Sequence, residues 1–158
     1  MEKMPQRPMP KSRAEERVRN FREVALGYTE EDAIAEANRC LQCKVPRCVE
    51  GCPVEINIPA FIKHIREGEH QEAIEEIRQK NSLPAICGRV CPQEDQCMGK
   101  CVLGLKGQPV NIGALERFAA DEGSRNEPRQ PQRLQPTGGK VAIVGSGPAG
   151  LTAAAELA

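Results

Sequence analysis

Eight cysteines in 158 residues carry the chemistry that can be read from this chain. They fall into two groups. The first is Cys40-x2-Cys43-x4-Cys48-x3-Cys52, followed by Pro53. The second is Cys87-x3-Cys91-Pro92-x4-Cys97-x3-Cys101. Thiolates at short spacings bind soft metals. The bacterial ferredoxin run C-x2-C-x2-C-x3-C-P holds iron–sulfur clusters, and its last cysteine ligates the other cluster. The first group matches that run apart from two extra residues before Cys48. A tight loop can aim three sulfurs at one cubane, and the fourth ligand usually comes from elsewhere in the chain. Two 4Fe–4S clusters are therefore expected, and the cysteine count alone would give Cys87 a place among their ligands.

Three other chemistries use cysteine in this way. Structural zinc takes four cysteines in paired knuckles separated by a longer loop. Here the first four cysteines crowd into 13 residues and end on proline, which suits a cluster loop better. A disulfide framework wants more cysteine than the 5% present and an exported chain. The start, Met1-Glu2-Lys3-Met4-Pro5-Gln6-Arg7-Pro8, has no apolar signal core, so a reducing cytoplasm is the expected setting. Free buried cysteines at these spacings are the least apt reading. His64 and His70 lie on predicted helices outside both groups and are given no role.

A second motif sits near the end. Gly145-Ser146-Gly147-Pro148-Ala149-Gly150 fits G-x-G-x-x-G, follows the apolar run Lys140–Val144 and opens a small-residue stretch to Ala158. That strand–loop–helix context is what a dinucleotide pyrophosphate site needs. The first glycine allows the turn, the second lets backbone approach the phosphates, and the third permits close packing. The acidic ribose ligand expected about 20 residues further on would lie beyond Ala158.

The elements that must position these groups read as helices. Ser12 to Glu15 resembles a capping box, with Val18, Phe21, Val24 and Ala25 behind it and Gly27 as a stop. Thr29 opens a second helix, 29–41, which runs into Cys40. Segments 59–67 and 69–80 carry helical periodicity, with Gly68 between them. A further helix after Asn111 carries Leu115, Phe118 and Ala119 and ends at Gly123. The domain expectations are an extended arm at 1–11, an all-α unit at 12–123, a Pro-rich linker at 124–139, and a buried strand with its helix at 140–158. Leu, Ile, Val and Phe together make only about 20% of the chain, and the aromatics are Phe21, Tyr28, Phe61 and Phe118. A core so thin is expected to need metal staples. Net charge is zero, and the chain has no basic run and no membrane-length apolar run, so neither a nucleic acid nor a membrane is expected as partner.

Five stretches give the chain a family likeness. They are Gly27-Tyr28-Thr29 with Asn38-Arg39-Cys40-Leu41-Gln42-Cys43, then residues 52–59, 83–94, 110–118 and the loop Gly145–Gly150. Over about residues 12–158 the chain resembles the start of the small subunit of NADPH-dependent glutamate synthase. The ferredoxin–NADP transhydrogenase large subunit and the N-terminus of dihydropyrimidine dehydrogenase share this arrangement. The resemblance implies an α-helical, ferredoxin-like two-cluster domain followed by the truncated start of an α/β dinucleotide-binding domain. It also implies a cytoplasmic electron-transfer oxidoreductase fragment that does not turn over alone. In the full-length parent, NADPH would reduce FAD, and electrons would pass through the clusters to an FMN-containing large or partner subunit. Sulfide dehydrogenase-like and pyrimidine-reducing relatives are alternatives, as is a non-redox zinc scaffold. The family pattern assigns Cys40, Cys43, Cys48 and Cys101 to one cluster. Cys52, Cys91, Cys97 and Glu116 would hold the other, with Cys87 a bystander. The family pattern would also place Gly145, Ser146, Gly147, Pro148, Ala149 and Gly150 against FAD.

Overall fold

Thr29 caps the first long helix as its sequence requires: its hydroxyl accepts the Asp32 N–H at 3.2 Å, and three acidic residues occupy the first turn. In the computed structural model, which describes residues 4–126, 135 and 138–158, this helix is α2 (Glu30–Ala37). The others are α1 (Ala14–Arg17), α3 (Arg47–Glu50), α4 (Ile58–Glu67), α5 (His70–Arg78), α6 (Pro84–Val90), α7 (Ile112–Asn126) and α8 (Pro148–Leu157). No strand occurs among the described residues. No helix among them is long and apolar enough to cross a membrane.

Helices α4 and α5 form a hairpin. Pro59 sits in the first turn of α4, and Gly68 ends it in the left-handed region at φ 78°. Phe61, Ile62 and Ile65 of α4 meet Ile77 of α5 and Leu115 and Phe118 of α7 in one buried cluster. Helix α7 also packs against α6 and α2. The core is made largely of isoleucine and alanine, which lets the helices approach closely with few large side chains.

Several expectations change. The helix expected behind Ser12 shrinks to the four residues of α1, and its N-cap is Arg13 without a side-chain bond. Lys11 instead bridges Ala25, with Ser12 N–H to Val24 carbonyl and Leu26 N–H to Pro10 carbonyl each at 2.8 Å. Asn20 takes the Arg22 N–H on its side-chain oxygen and breaks the helix there. Val18 and Phe21 are exposed, so their helical spacing has nothing to pack against. Helix 29–41 stops at Ala37, which leaves Cys40 in the following loop. Residues 84–90 form a helix that the cysteine spacing had hidden. Helix α7 runs past Gly123. Lys140–Val144 is not a buried strand: Val141 is 70% exposed and Val144 99%, and no strand among the described residues covers them. The linker expected at 124–139 falls largely outside the described residues.

One buried ion pair ties the N-terminal arm to the rest. Glu36 pairs with Arg39 in the interior. The same carboxylate accepts the backbone N–H of Arg7 at 2.7 Å and of Asn111 at 2.8 Å. The Arg39 guanidinium donates to the carbonyls of Met4, Gln108 and Pro109 at 2.7–3.0 Å. Residues 4–7 and 108–111 are thereby pinned to α2. Tyr28, whose hydroxyl donates to the Arg7 carbonyl and accepts from the Asn111 amide, closes the same junction.

Replacing Glu36 by Ala strands the Arg39 charge in the interior. We expect a loss of about 3–5 kcal/mol, read as a lower denaturant midpoint with an unchanged slope. Burial, with the Glu36 carboxylate nearby, pushes the Tyr28 phenol well above its ordinary pKa. Its contribution to stability is complete below about pH 10 and is lost as pH rises beyond that value. Tyr28 is the only tyrosine. Phenolate absorbance should therefore appear together with unfolding in an alkaline titration, not as a separate step near pH 10 in the folded chain.

Candidate metal centre

The structure gathers the cysteines into two sets, and neither set follows the sequence grouping. Cys40, Cys43 and Cys48 from the first group meet Cys101, the last residue of the second, around one pocket. Ile58, Ile62, Val110 and Ile112 give the pocket an apolar wall, and Arg47 and Lys100 stand at it as cations. The loop from Cys40 to Cys43 turns through Gln42, a non-glycine residue at φ 50°. That conformation carries a steric cost for an L-residue. Two bonds hold it: the Gln42 amide donates to the Pro59 carbonyl at 3.0 Å and to the Cys40 sulfur at 3.5 Å.

Cys52, Cys91, Cys97 and Glu116 lie together as a second set, with Cys87 against Cys91 at its edge. Burial raises the Cys91 thiol to about 11, and Cys87, Glu116 and Cys52 add their negative charge. The Cys97 thiol rises to about 12 through burial and the proximity of Cys52 and Glu116. Cys48 of the first set rises to about 11 for the same leading reason, with Cys40 and Cys101 as its charged neighbours. Glu116 is buried on α7, and the loss of water lifts its carboxyl to about 7. Each set would place several anions in one dry space. Only a strongly positive group makes that favourable, and it must displace a proton from each thiol as it binds.

Two glycines make the second set possible. A Cβ on Gly88 would lie 2.6 Å from the Arg117 backbone nitrogen and 2.8 Å from its Cα, so only glycine lets α6 lie against α7 beside Glu116. At Gly51 a Cβ would lie 2.7 Å from the Gln96 carbonyl oxygen, and that contact brings Cys52 to the Cys97 loop. Pro92 holds Cys91 in an extended conformation (ψ 138°), which ends α6 and turns the chain inward.

Cys87 stands beside this set. It is half-buried on α6, and its thiol donates to the Asn81 side-chain oxygen at 3.6 Å. Ligand spacing also bears on the metal. Among the described residues, no three cysteine sulfurs lie within 4.8 Å of one another. Four thiolates on one zinc ion, with Zn–S of about 2.3 Å, would sit about 3.8 Å apart. The eight cysteines are all free thiols, as a cluster site requires.

A match to the family described as dihydropyrimidine dehydrogenase domain II, 4Fe–4S cluster, covers residues 17–128. The chain belongs to that family. It is 42% identical over 154 residues to the glutamate synthase [NADPH] small chain of Azospirillum brasilense, covering 94% of this chain and 32% of that one. The Escherichia coli small chain is 43% identical over 135 residues, or 85% of this chain and 29% of the relative. The NAD-dependent dihydropyrimidine dehydrogenase subunit PreT of Salmonella typhimurium is 39% identical over 135 residues, covering 85% and 33%. The chain thus spans about a third of the length of these relatives. That family's description names a 4Fe–4S cluster, and it is the 4Fe–4S domain that the chain shares.

Other candidates lie apart from the cysteines. His64 hydrogen-bonds Glu69 at 2.7 Å and His70 meets Glu30 at 2.9 Å, both in the α-helical framework. Gly145–Gly150 forms the turn into α8, with Gly145 at φ 110° and Gly147 as N-cap. A bond of 3.1 Å from the Ser82 hydroxyl to Glu156 links α8 to the turn before α6. Asn81, which touches both Glu116 and Cys87, was not singled out from the sequence. It stands there only as the end of a helix, and no spacing rule marks it.

Gly88→Ala should push α6 off α7 at Arg117 and separate Cys91 from Glu116. We expect the iron content to fall by about half, with the pocket of Cys40, Cys43, Cys48 and Cys101 still loaded. Iron analysis beside EPR of the reduced protein reads both.

Proposed function

We propose that this chain is the electron-transfer module of a flavin and iron–sulfur oxidoreductase that draws on NAD(P)H, in the manner of a glutamate synthase small subunit. The convergence of two separate sets, each joining ligands from distant parts of the chain, carries this reading. Cys40, Cys43, Cys48 and Cys101 would hold one 4Fe–4S cluster, and Cys52, Cys91, Cys97 and Glu116 the other. Bound there, the clusters would supply two one-electron carriers between an FAD and a flavin, FMN, in a partner subunit. The chain's own residues shape what those carriers experience. The Gln42 amide, a donor to the Cys40 sulfur, favours added negative charge at the first set. Arg47 and Lys100 act in the same direction. An oxygen ligand at the second set differs in donor strength from a thiolate. The two sites therefore need not share one potential, which suits successive steps of a relay.

Residues Gly145–Gly150 fit the opening of an FAD site, since α8 presents its N-terminus behind the turn. The pyrimidine dehydrogenase relative favours a second reading, in which the same module serves pyrimidine reduction. The two readings differ in the partner subunit and not in the helical domain.

Anaerobically purified chain should carry about eight iron and eight acid-labile sulfide. Glu116→Ala should lose one cluster, or shift its midpoint potential, while the other stays unchanged. Cys87→Ser should keep both. EPR redox titration of the parent and the two variants compares them. Zinc without sulfide overturns the electron-transfer reading. Loss of a cluster in Cys87→Ser, with Glu116→Ala like the parent, overturns the ligand set.

A further inference from the structure

Asn81 ends the turn after α5, and its buried side chain faces both candidates for the eighth ligand position. Its side-chain oxygen accepts the Leu83 backbone N–H at 2.9 Å. That bond fixes which end of the amide is oxygen, because a backbone N–H can only donate. The Nδ2 group must then point the other way, and it donates to Glu116 Oε1 at 3.0 Å. The same oxygen has a second lone pair, and the Cys87 thiol donates into it at 3.6 Å. One amide thus holds the carboxylate by a donor and the thiol by an acceptor.

We propose that Asn81 is a positioning residue that selects Glu116 over Cys87 as the eighth cluster ligand. The inference rests on the ligand set proposed above and adds the device that enforces it. Glu116 Oε1 is engaged by the amide, and the carboxylate's second oxygen is left for iron. Cys87 is engaged in the opposite sense: its S–H is donated to the amide oxygen, while its sulfur lies beside Cys91 and so within reach of the position. Were Cys87 to take the position, its proton would pass to solvent as sulfur bonded iron. The Glu116 carboxylate would leave as an anion, so one anionic ligand would replace another. With Asn81 in place, that exchange would cost both hydrogen bonds at once. Glu116 and Cys87 are brought this close by the Gly88 contact between α6 and α7, which is why a selector is needed.

Two substitutions separate the roles. Asn81→Ser keeps a hydroxyl for the Leu83 N–H but is too short to reach Glu116 or Cys87. Asn81→Asp keeps the acceptor for Leu83 and Cys87, and it removes the donor to Glu116. The cluster-loaded chain is treated anaerobically with iodoacetamide, and the modified cysteines are identified by mass spectrometry. Iron content and EPR midpoint potentials are read on the same samples. In the parent, Cys87 should be the alkylated cysteine at about eight iron. In Asn81→Ser, Cys87 should become protected with iron still at about eight and one potential shifted. Asn81→Asp should leave Cys87 alkylated and lose one cluster or shift its midpoint potential, as Glu116→Ala would. Cys87 still alkylated in Asn81→Ser overturns the proposal at any iron content. So does Asn81→Asp with parental iron and potentials, or loss of both clusters in either variant, which would make Asn81 merely structural. A parent whose Cys87 is already protected, together with parental iron in Glu116→Ala, would instead overturn the underlying ligand set.

Discussion

Sulfur and carboxylate groups brought together out of water repel one another as soon as they ionise. The interior of this chain is arranged around that repulsion. Burial raises Cys48, Cys91 and Cys97 to about 11–12 and lifts Glu116 to about 7. A metal-free interior thus favours the protonated groups, and a bound cluster must release those protons. The remainder of the fold holds the donors in place against this cost. Helix α7 supplies Glu116, and it packs on α5, α6, α2 and α4. At Gly88 and Gly51, where segments of the second set cross, a side chain as small as alanine would collide with backbone.

The Glu36–Arg39 pair serves the first set from behind. Its hydrogen bonds reach backbone at Met4, Arg7, Gln108, Pro109 and Asn111. Val110 and Ile112, which wall the pocket of Cys40, Cys43, Cys48 and Cys101, flank the last of these. A charge pair in the interior is a weak source of net stability, yet it is costly to break from one side. That asymmetry makes it suitable as a clamp between segments far apart in sequence. The small isoleucine–alanine core alone has few large side chains with which to fix the arm and the loop before α7.

Several features could be read in advance because local chemistry decides them. Thr29 as an N-cap, Pro59 in a first turn and Gly68 as a stop each act within a few residues. Local rules failed where helix needed a partner. Val18, Phe21 and Val24 had the right spacing, but they remain exposed, and the Lys11–Ala25 bridge bends the segment instead. The apolar run at 140–144 likewise has strand chemistry but no adjacent strand among the described residues. In contrast, α6 was hidden by its Pro, Cys and Gly content, and it forms because α7 gives it a surface.

By itself the sequence determined the chemical class. Two dense cysteine groups, Cys-Pro endings and the likeness around them pointed to 4Fe–4S chemistry on a helical frame. Residue types and short spacings are enough for that, since a thiolate's affinity for iron is a local property. What spacing could not decide is which donors meet. Cys101 joins Cys40, Cys43 and Cys48 from more than fifty residues away, and Cys52 leaves its own group for Cys91 and Cys97. Glu116 enters the second set only because α7 turns it inward and removes its water. Asn81 stands between Glu116 and Cys87 because the α5–α6 turn falls there. Each of these is a contact across the fold, set by packing distance and burial, and residue spacing along the chain does not encode it.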